Sequence, residues 1–299
     1  MARQHNLFAT ILTYAAPSSN YRGENAENRL VLQKVSRQGK DYAVVSPESM
    51  RNALREILAI KGLPLNRTRL HHEDQLAVEM ADFPNAEKYA DDYLFGFLVA
   101  DPPKEMKKQE LPAKRDSLLR MNLALALEPY RYDATFHQSP KNAGKSLWKN
   151  ADSSQLLHKE VSYTAFQYPF ALAMRDCLAD KENGARWTRA LLESIGELSG
   201  VAGGHARSLF EMAPRSIVAR VSQSLVAGYD SYGFDAEGNF PELARLTRDD
   251  LPAGEFLVGG EIVRQMTSEQ RQALEKAGTT LFDNAQQALA AAGERALGG

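Results

Sequence analysis

Two serine and two arginine side chains cluster at the predicted start of one helix: Ser46, Ser49, Arg51 and Arg55. Ser46 followed by Pro47 is the typical order of a helix N-cap and the first helical residue. Arg51 and Arg55 are one turn apart, so they share a face of the helix. The free N–H groups of a helix N-terminus, together with guanidinium groups, can bind a phosphate backbone. The spacing alone also fits a solvated basic face of an amphipathic helix.

The other motifs that could carry chemistry do not indicate catalysis. Residues 142–146 (Asn-Ala-Gly-Lys-Ser) end like a phosphate-binding P-loop, but Ser139 occupies the position of the required first glycine. His71 and His72 are adjacent, so their side chains diverge on any regular element and do not favour a metal site. Cys177 is the only cysteine, which excludes intrachain disulfides and multi-cysteine metal sites. We therefore expect no enzyme activity, no cofactor and no metal.

A second basic segment, residues 128–160, carries aromatic side chains between its charges. Lys141, Lys145 and Trp148 are its main candidates for contact with a ligand. Lysines that pair with phosphates and aromatic rings that stack on bases suit a single-stranded nucleic acid. A surface subdomain with its own small aromatic core fits the same composition, and the sequence leaves both interpretations open.

The overall composition is that of a globular protein rather than of a stand-alone nucleic-acid binder. The chain has 299 residues, 43% hydrophobic and 25% charged, with a net charge of −2. The charge is uneven: residues 71–92 hold seven acidic side chains and one lysine, whereas residues 101–150 are basic. A basic groove can thus coexist with acidic outer faces. With no signal peptide and no membrane-spanning apolar run, we expect a cytoplasmic protein.

The apolar patterns predict an α+β fold. Strands are predicted at residues 7–14, 30–35, 42–45, 93–100, 118–127, 161–174 and 216–221. Helices are predicted at residues 47–61, 185–198 and 267–292. A loop is predicted at 20–29. The alternation in 118–127 predicts one buried face of Leu119, Met121, Leu123, Leu125 and Leu127. The core order βαββαβ is typical of a ferredoxin-like or RRM-like sheet, with long insertions at 63–92 and 128–160.

Three stretches of the sequence resemble DevR-type backbone subunits of type I CRISPR surveillance complexes (Cascade), within the RAMP superfamily. The first is Asn20-Tyr21-Arg22-Gly23-Glu24 followed by the segment 46–55, with its serines and arginines. The second is Lys114-Arg115-Asp116-Ser117-Leu118-Leu119-Arg120. The third is Gly203-Gly204-His205-Ala206-Arg207 with the segment 210–218. Their order and spacing along the chain carry the resemblance.

The resemblance implies a palm, a finger and a thumb. The palm, of ferredoxin-like fold, comprises residues 1–62, 93–127 and 161–299. The finger is an insertion at residues 63–92, and the thumb is a β-hairpin at residues 128–160.

The resemblance also implies a function. Several copies of such a subunit polymerise along a guide RNA (crRNA) beside other Cascade subunits, and the exposed guide bases pair with target DNA. The subunit is non-catalytic and does not bind membranes. The predicted RNA-binding residues are Asn20, Arg22, Ser46, Ser49, Arg51, Arg55, Lys114, Arg115, Arg120, Lys141, Lys145, Trp148, His205 and Arg207.

The sequence departs from the family pattern at two positions. Glu48 stands where relatives often carry a neutral amide, which argues against a phosphate contact at that position, and Gly204 stands where asparagine is expected. RAMP backbone subunits that cut RNA use an aspartate in the loop after the first strand, whereas residues 15–29 contain Glu24 and Glu27 but no aspartate. We therefore predict no nuclease activity.

Two alternative functions remain open at this stage. One is a RAMP-type endoribonuclease that processes guide RNA, with a histidine as general acid or base. The candidate histidines are His71, His72, His137 and His158. The other is a regulatory RNA-binding protein that acts outside any complex.

Overall fold

The computed structural model describes residues 5–18, 21–26, 29–69, 78–138, 156–201 and 210–298. This part of the chain forms a mixed α+β fold around one large sheet, so the predicted fold class is confirmed at this level. In the same part, no helix is long and apolar enough to cross a membrane.

The described residues form nineteen strands, nine α-helices and two 3-10 turns. The strands are β1 Asn6–Thr13, β2 Ala16–Ser18, β3 Tyr21–Ala26, β4 Arg29–Leu32, β5 Lys34–Arg37, β6 Lys40–Val45, β7 Arg67–Arg69, β8 Val78–Met80, β9 Phe97–Leu98, β10 Lys114–Arg115, β11 Arg120–Met121, β12 Ala124–Ala126, β13 Ala134–Gln138, β14 Leu156–Glu160, β15 Ser162–Thr164, β16 Phe166–Ala173, β17 Pro214–Ser222, β18 Phe256–Gly260 and β19 Thr280–Phe282. The α-helices are α1 Pro47–Ile60, α2 Ala90–Phe95, α3 Lys104–Lys108, α4 Met174–Cys177, α5 Gly184–Gly196, α6 Ala244–Thr247, α7 Glu261–Arg264, α8 Ser268–Ala277 and α9 Ala285–Leu297. Two 3-10 turns cover Pro241–Leu243 and Ala253–Glu255.

The large sheet has the strand order β19-β18-β17-β1-β16-β12-β6-β5, and β11 also pairs with β16. Strand β1 lies near its centre and is antiparallel to both neighbours, β16 and β17. Only β18 and β19 pair in parallel, which makes the sheet mixed. The predicted strands at 7–14 and 216–221 correspond to β1 and β17 and are confirmed.

Both faces of the large sheet are buried, which explains why its central strands are almost continuously apolar. Leu7 and Ile11 of β1 face one hydrophobic core together with α1, α5 and α9. Leu12 faces a second core, which the segment 234–274 covers. Successive side chains of a strand point to opposite faces, so β1 contributes to both cores.

Two helix predictions are confirmed. Helix α1 spans Pro47–Ile60 and α5 spans Gly184–Gly196, close to the predicted limits. The predicted strand at 30–35 is divided between β4 and β5, and β5 forms a hairpin with β6, with Gln38 and Gly39 at positive φ in its two-residue turn. Strands β13 and β14 also pair as a hairpin within residues 128–160.

Three predicted elements are wrong. Residues 93–100 do not form one strand: Tyr93 to Phe95 complete helix α2, whose residues are all buried, and only Phe97–Leu98 are in a strand, β9. A short apolar run cannot distinguish a strand from a buried helix. The predicted loop at 20–29 contains β3 and β4, which extend the β13–β14 hairpin into a four-stranded sheet. The single predicted helix at 267–292 is two helices, because Gly278 ends α8 in a left-handed conformation and β19 follows.

The predicted buried face of the segment 118–127 is correct only at its start. Leu119 is fully buried, but further along the segment Ala124 and Ala126 are buried while Leu125 is only half-buried. The segment is broken into β11 and β12, and the break changes which alternate residues face the core. Ala124 of β12 pairs with Val45 of β6, which places this segment beside the start of α1.

Candidate nucleic-acid interface

The start of helix α1 has the predicted cap. The Ser46 hydroxyl accepts a hydrogen bond from the Ser49 N–H at 3.2 Å and donates one to the Ser49 hydroxyl at 3.0 Å. Because Val45 is held in the large sheet, the cap fixes where the helix begins and where its free N–H groups point. Both serines are half-buried, so they lie partly at the surface of the protein.

Arg51 lies one turn into α1 and bridges the helix to the segment before β11. Its Nη2 donates to the Leu119 carbonyl at 3.2 Å, and this carbonyl also accepts from the Ser117 hydroxyl at 2.7 Å. The side chain is 21% exposed, and partial burial lowers its pKa. Arg120, the next residue after Leu119, is exposed. We call Ser46, Ser49 and Arg51 the α1 site, because the structure places these three predicted residues at the cap and first turns of one helix. Arg120 lies in β11 between Leu119 and Met121, which pack in the core beside α1, so its side chain points to the opposite face of the sheet.

Glu48 is the acidic residue of the α1 site. Its carboxylate is 74% exposed and lies 3.8 Å from Nη1 of Arg51. A carboxylate in the first turn of a helix complements the helix dipole, but it also repels a phosphate at the same place. Glu48, at the position where relatives often carry a neutral amide, therefore lies where its charge would weaken the binding of an anion to Arg51.

Arg55 points inward, unlike Arg51. The residue is only 8% exposed, and its Nη1 donates to Asn52 Oδ1 at 2.9 Å. Its Nε lies 3.4 Å from Asp91 Oδ2, an ion pair without hydrogen-bond geometry, and its guanidinium covers the Phe95 ring at 4.8 Å. Burial, followed by the neighbouring Arg67, lowers the pKa of Arg55 to about 10, so it stays charged at neutral pH. A direct contact of Arg55 with RNA remains a prediction. The partners that the structure gives this side chain are Asn52, Asp91 and Phe95 of the protein itself.

Two buried carboxylates at the start of α2 anchor the segment 63–92. Asp91 accepts the N–H groups of Asn66 at 2.8 Å and Arg67 at 3.1 Å. Asp92 accepts the Asn66 side-chain amide and the Asn85 N–H, both at 2.9 Å. Both aspartates are fully buried, and burial raises the pKa of Asp92. The role of Asp91 and Asp92 was not predicted from the sequence, although two acids before an apolar run are typical of a helix start.

Lys114 and Arg115 lie on the small ribbon of β9 and β10. Lys114 is exposed, whereas Arg115 is half-buried and its guanidinium lies 4.8 Å from the centre of the Tyr93 ring. Gly96 makes this packing possible, because its φ is 65° and an added Cβ would lie 2.3 Å from the Arg115 carbonyl oxygen. The stacked Arg115 is thus a partly structural residue, and Lys114 is the more accessible cation of the two.

The remaining predicted residues are not placed by the structure. Asn20, Lys141, Lys145, Trp148, His205 and Arg207 lie outside the described residues, as do His71 and His72. Arg22 lies in β3. These assignments stay predictions.

The two described candidate histidines do not form a catalytic pair. His158 pairs with Phe136 across the β13–β14 hairpin, and their rings contact edge to face at 5.2 Å. His137 is the next residue after Phe136, so its side chain points to the opposite face, where it lies 3.0 Å from the Thr135 hydroxyl. Within the described ranges, no group of three His, Cys, Asp or Glu side chains could hold a metal ion.

Comparison with known proteins finds a curated relative and solved structures of similar fold, of which two are described below. No protein-family model matches the chain. The "CRISPR-associated protein Cas7/Cst2/DevR" of Myxococcus xanthus (strain DK1622) is 32% identical over 281 residues, which cover 90% of this chain and 91% of that protein.

Both solved structures are similar over nearly the whole chain. A chain of a "CRISPR RNA-guided surveillance complex, pre-nicking" has a TM-score of 0.61 and 12% identity, covering 97% of this chain and 100% of its own. A chain of a "CRISPR RNA-guided surveillance complex" has a TM-score of 0.57 and 14% identity, covering 97% and 99%. At 12% and 14% sequence identity, the similarity to these two chains shows a shared fold.

Proposed function

Because the chain belongs to the Cas7/Cst2/DevR family of CRISPR-associated proteins, we propose that it is a guide-RNA-binding backbone subunit of a type I CRISPR surveillance complex. The family resemblance found in the sequence is confirmed by the 32% identity over 90% of the chain. The single observation in the structure that carries the proposal is the α1 site, where a capped helix start holds two hydroxyls and the partly exposed Arg51 within two turns of one helix.

The chemistry of the α1 site suits the RNA backbone rather than the bases. Guanidinium groups and helix N–H groups bind phosphate oxygens, which every nucleotide offers irrespective of its base. Such a subunit therefore holds the guide without reading its sequence, and base pairing between guide and target DNA supplies the specificity. Arg51 is the main contact in this proposal, since its guanidinium lies at the surface and is oriented by the Leu119 carbonyl.

We assign the palm, thumb and finger as follows. Strands β17, β1, β16 and β12 are neighbours in that order and antiparallel throughout, and α1 and α5 lie in the two connections that give a βαββαβ chain order. This arrangement supports a ferredoxin-like palm. The β13–β14 hairpin at 128–160 is the proposed thumb, and the segment 63–92, anchored by Asp91 and Asp92, is the proposed finger.

Copies of the chain polymerise along the guide in this proposal, together with other Cascade subunits, in the cytoplasm. The subunit has no catalytic role in it. The overall charge of −2 is compatible with this arrangement, because the faces that contact neighbouring copies do not need to be basic.

The experiment that tests the proposal is the mass of the purified protein with single-stranded RNAs of increasing length. A backbone subunit is expected to give complexes whose mass rises in whole-subunit steps with RNA length. A fixed stoichiometry at all lengths would instead support a stand-alone regulatory protein, and shortened RNA in the same samples would support an endoribonuclease.

Glu48→Gln is predicted to strengthen RNA binding by about two- to fivefold. The substitution removes an exposed negative charge beside Arg51 but keeps a helix-compatible side chain, and exposed charge pairs are worth roughly 0.2–1 kcal/mol. Fluorescence anisotropy with a labelled single-stranded RNA at moderate salt measures the change. Glu237→Gln, at an exposed acid in the acidic segment 230–255, is the matched control and is expected to bind like the wild type.

A further inference from the structure

Three side chains hold the base of the β13–β14 hairpin to the large sheet: Lys34, Tyr130 and Glu160. The Glu160 carboxylate accepts a hydrogen bond from the Lys34 ammonium group at 2.7 Å. The same ammonium group lies 4.1 Å from the centre of the Tyr130 ring, within the range of a cation–π contact. Lys34 is on β5 at the edge of the large sheet, Tyr130 precedes the hairpin, and Glu160 is its last residue. We call these three residues the clasp, because they join both ends of the hairpin to the sheet edge.

The Glu160 side chain continues a backbone ladder that is short. Strand β14 pairs in parallel with β4 at two positions, the second of them between Lys159 and Leu30. Two residues further along β4, the Leu32 N–H donates to the Glu160 carboxylate at 3.1 Å. Because a parallel ladder is slightly less stable per residue than an antiparallel one, two pairs alone hold the hairpin weakly. The carboxylate is therefore an important part of the connection between the hairpin and β4.

The clasp is shielded from solvent. The side chains of Lys34 and Glu160 are 18% and 14% exposed, so salt screens their attraction less than that of an exposed ion pair. Tyr130 is half-buried, and its N–H donates to the Asp41 carbonyl of β6 at 2.7 Å. We therefore expect the clasp to hold more firmly than an ion pair on the open surface.

Strand β6 connects the clasp to the α1 site. Lys34 pairs with Ala43 of β6, and the Tyr130 N–H is bonded to Asp41 of the same strand. Strand β6 ends at Val45, and the next residue, Ser46, caps α1. The hairpin and the α1 site are thus attached to one strand, so the clasp fixes the position of one relative to the other.

The described part of the segment 128–160 presents aromatic rings to solvent. Tyr132 is 68% exposed and Phe136 is 56% exposed. A subdomain with its own aromatic core would bury these rings, whereas a surface that stacks on the bases of a single strand exposes them. Of the two interpretations that the sequence leaves open, the exposure of the two rings favours contact with a single-stranded nucleic acid.

We propose that Lys34, Tyr130 and Glu160 are positioning residues for RNA binding. The clasp holds the hairpin at the angle at which its exposed rings and the α1 site contact the same single-stranded RNA. This inference rests on the proposed function, and the clasp itself does not need to touch the RNA. A hairpin that is loosened from the sheet has to be ordered each time RNA binds, and this ordering lowers the affinity.

Glu160→Ala tests the clasp through the direction of its effect on RNA affinity. Charge alone predicts stronger binding, because the substitution removes a negative charge from a protein that binds a polyanion. The clasp predicts the opposite: the affinity for a labelled single-stranded RNA falls about three- to tenfold, since the hairpin is no longer preorganised. Fluorescence anisotropy at moderate salt measures the change. Glu128→Ala, at an exposed acid of the same segment, is the matched control and is expected to bind at least as tightly as the wild type.

Glu160→Gln is the second variant, for the case that Glu160→Ala folds poorly. It keeps an acceptor oxygen for the Leu32 N–H but loses the charge that attracts Lys34. Its affinity is expected to fall in the same direction and by less.

A distance measurement separates positioning from a general loss of stability. Spin labels on Thr135→Cys of β13 and Ala290→Cys of α9, both exposed positions, report the distance between hairpin and palm by pulsed EPR. The native Cys177 is buried, so it is expected to stay unlabelled. We expect a narrow distance distribution with the clasp intact and a broader or shifted one in Glu160→Ala. A lower melting temperature with an unchanged distribution would overturn the proposal.

The two proposals fail in different ways. If the wild type binds RNA and Glu160→Ala binds it as tightly or more tightly, the positioning role is overturned while the proposed function stands. If the wild type binds no RNA at any salt concentration, the proposed function fails and this inference fails with it.

Discussion

Arg51→Ala is expected to weaken the binding of single-stranded RNA by about 10- to 100-fold. Hydrogen bonds to charged groups contribute roughly 1.5–3 kcal/mol each, and a tenfold change in affinity corresponds to about 1.4 kcal/mol. Arg51 is the described arginine of α1 whose guanidinium reaches the surface, at 21% exposure. Its one neutral partner, the Leu119 carbonyl, orients the group without neutralising its charge.

The measurement is a titration of labelled RNA with wild type and variant at two salt concentrations. Arg186→Ala is the matched control, because it removes an exposed arginine from another helix, α5. Arg51→Lys keeps the charge but loses the planar fork, so an intermediate affinity is expected. Wild-type affinity of Arg51→Ala, with an unchanged melting temperature, would exclude Arg51 from the interface.

Arg51 and Arg55 were expected to act together, and the structure separates their effects. Removing Arg55 takes a cation away from a fully buried carboxylate, so much of its effect is expected on stability. Removing Arg51 breaks one hydrogen bond to the Leu119 carbonyl and the 3.8 Å ion pair with the exposed Glu48, and it leaves no fully buried charge without its partner. A variant that lacks both Arg51 and Arg55 is therefore informative about RNA binding only when its free energy of unfolding is measured as well as its affinity for RNA.

The α1 site could be predicted from the sequence because its signals are local. The N-cap, the proline after it and the apolar stripe of α1 all lie within 15 positions, and each follows from helix geometry. The burial of Arg55 could not be predicted in this way. It depends on Asp91 and Phe95, which only tertiary packing brings to α1, and a helix-face argument cannot identify the partner of either arginine.

The fold shows the same division between local and non-local information. Strands β1 and β17 and helices α1 and α5 have long, strongly patterned segments, and their types were predicted correctly. The second half of helix α2, Tyr93 to Phe95, was predicted as part of a strand because the six residues of this helix are all buried and therefore show no helical period. Strand β19 was missed because it has three residues and joins the sheet only through parallel pairing with β18.

Helix α2 connects the parts of the protein that sequence reasoning treated separately. Tyr93 lies under the Arg115 guanidinium, and Phe95 lies under that of Arg55, so this short helix supports arginines from two distant segments. At its start, Asp91 and Asp92 hold the residues around Asn66. The geometry of the predicted RNA-binding arginines thus depends on a helix that does not itself carry any of them.

Asp91→Ala is accordingly expected to destabilise the protein by about 3–5 kcal/mol, the usual effect of removing one partner from a buried ion pair. The substitution leaves the N–H groups of Asn66 and Arg67 without their acceptor and leaves Arg55 without the carboxylate at 3.4 Å. Urea unfolding, followed by circular dichroism, gives the free energy of unfolding. Asp101→Ala, at an exposed aspartate, is the control and is expected to change it little.

A second substitution at Asp91 distinguishes the lost charge from the lost acceptors. Asp91→Asn keeps the shape of the side chain and one acceptor oxygen. Its NH2 group, however, is a donor that would face another donor, either a backbone N–H or the Arg55 guanidinium. Asp91→Asn is therefore expected to lower the free energy of unfolding, and by less than Asp91→Ala.

Combining Asp91→Asn with Arg55→Met removes both charges. The double variant should lose less free energy of unfolding than the sum of the two single variants, because it leaves no unpaired buried ion. Strict additivity, or an Asp91→Ala variant as stable as Asp101→Ala, would show that the two residues do not stabilise each other. The anchoring of the segment 63–92 would then need another explanation.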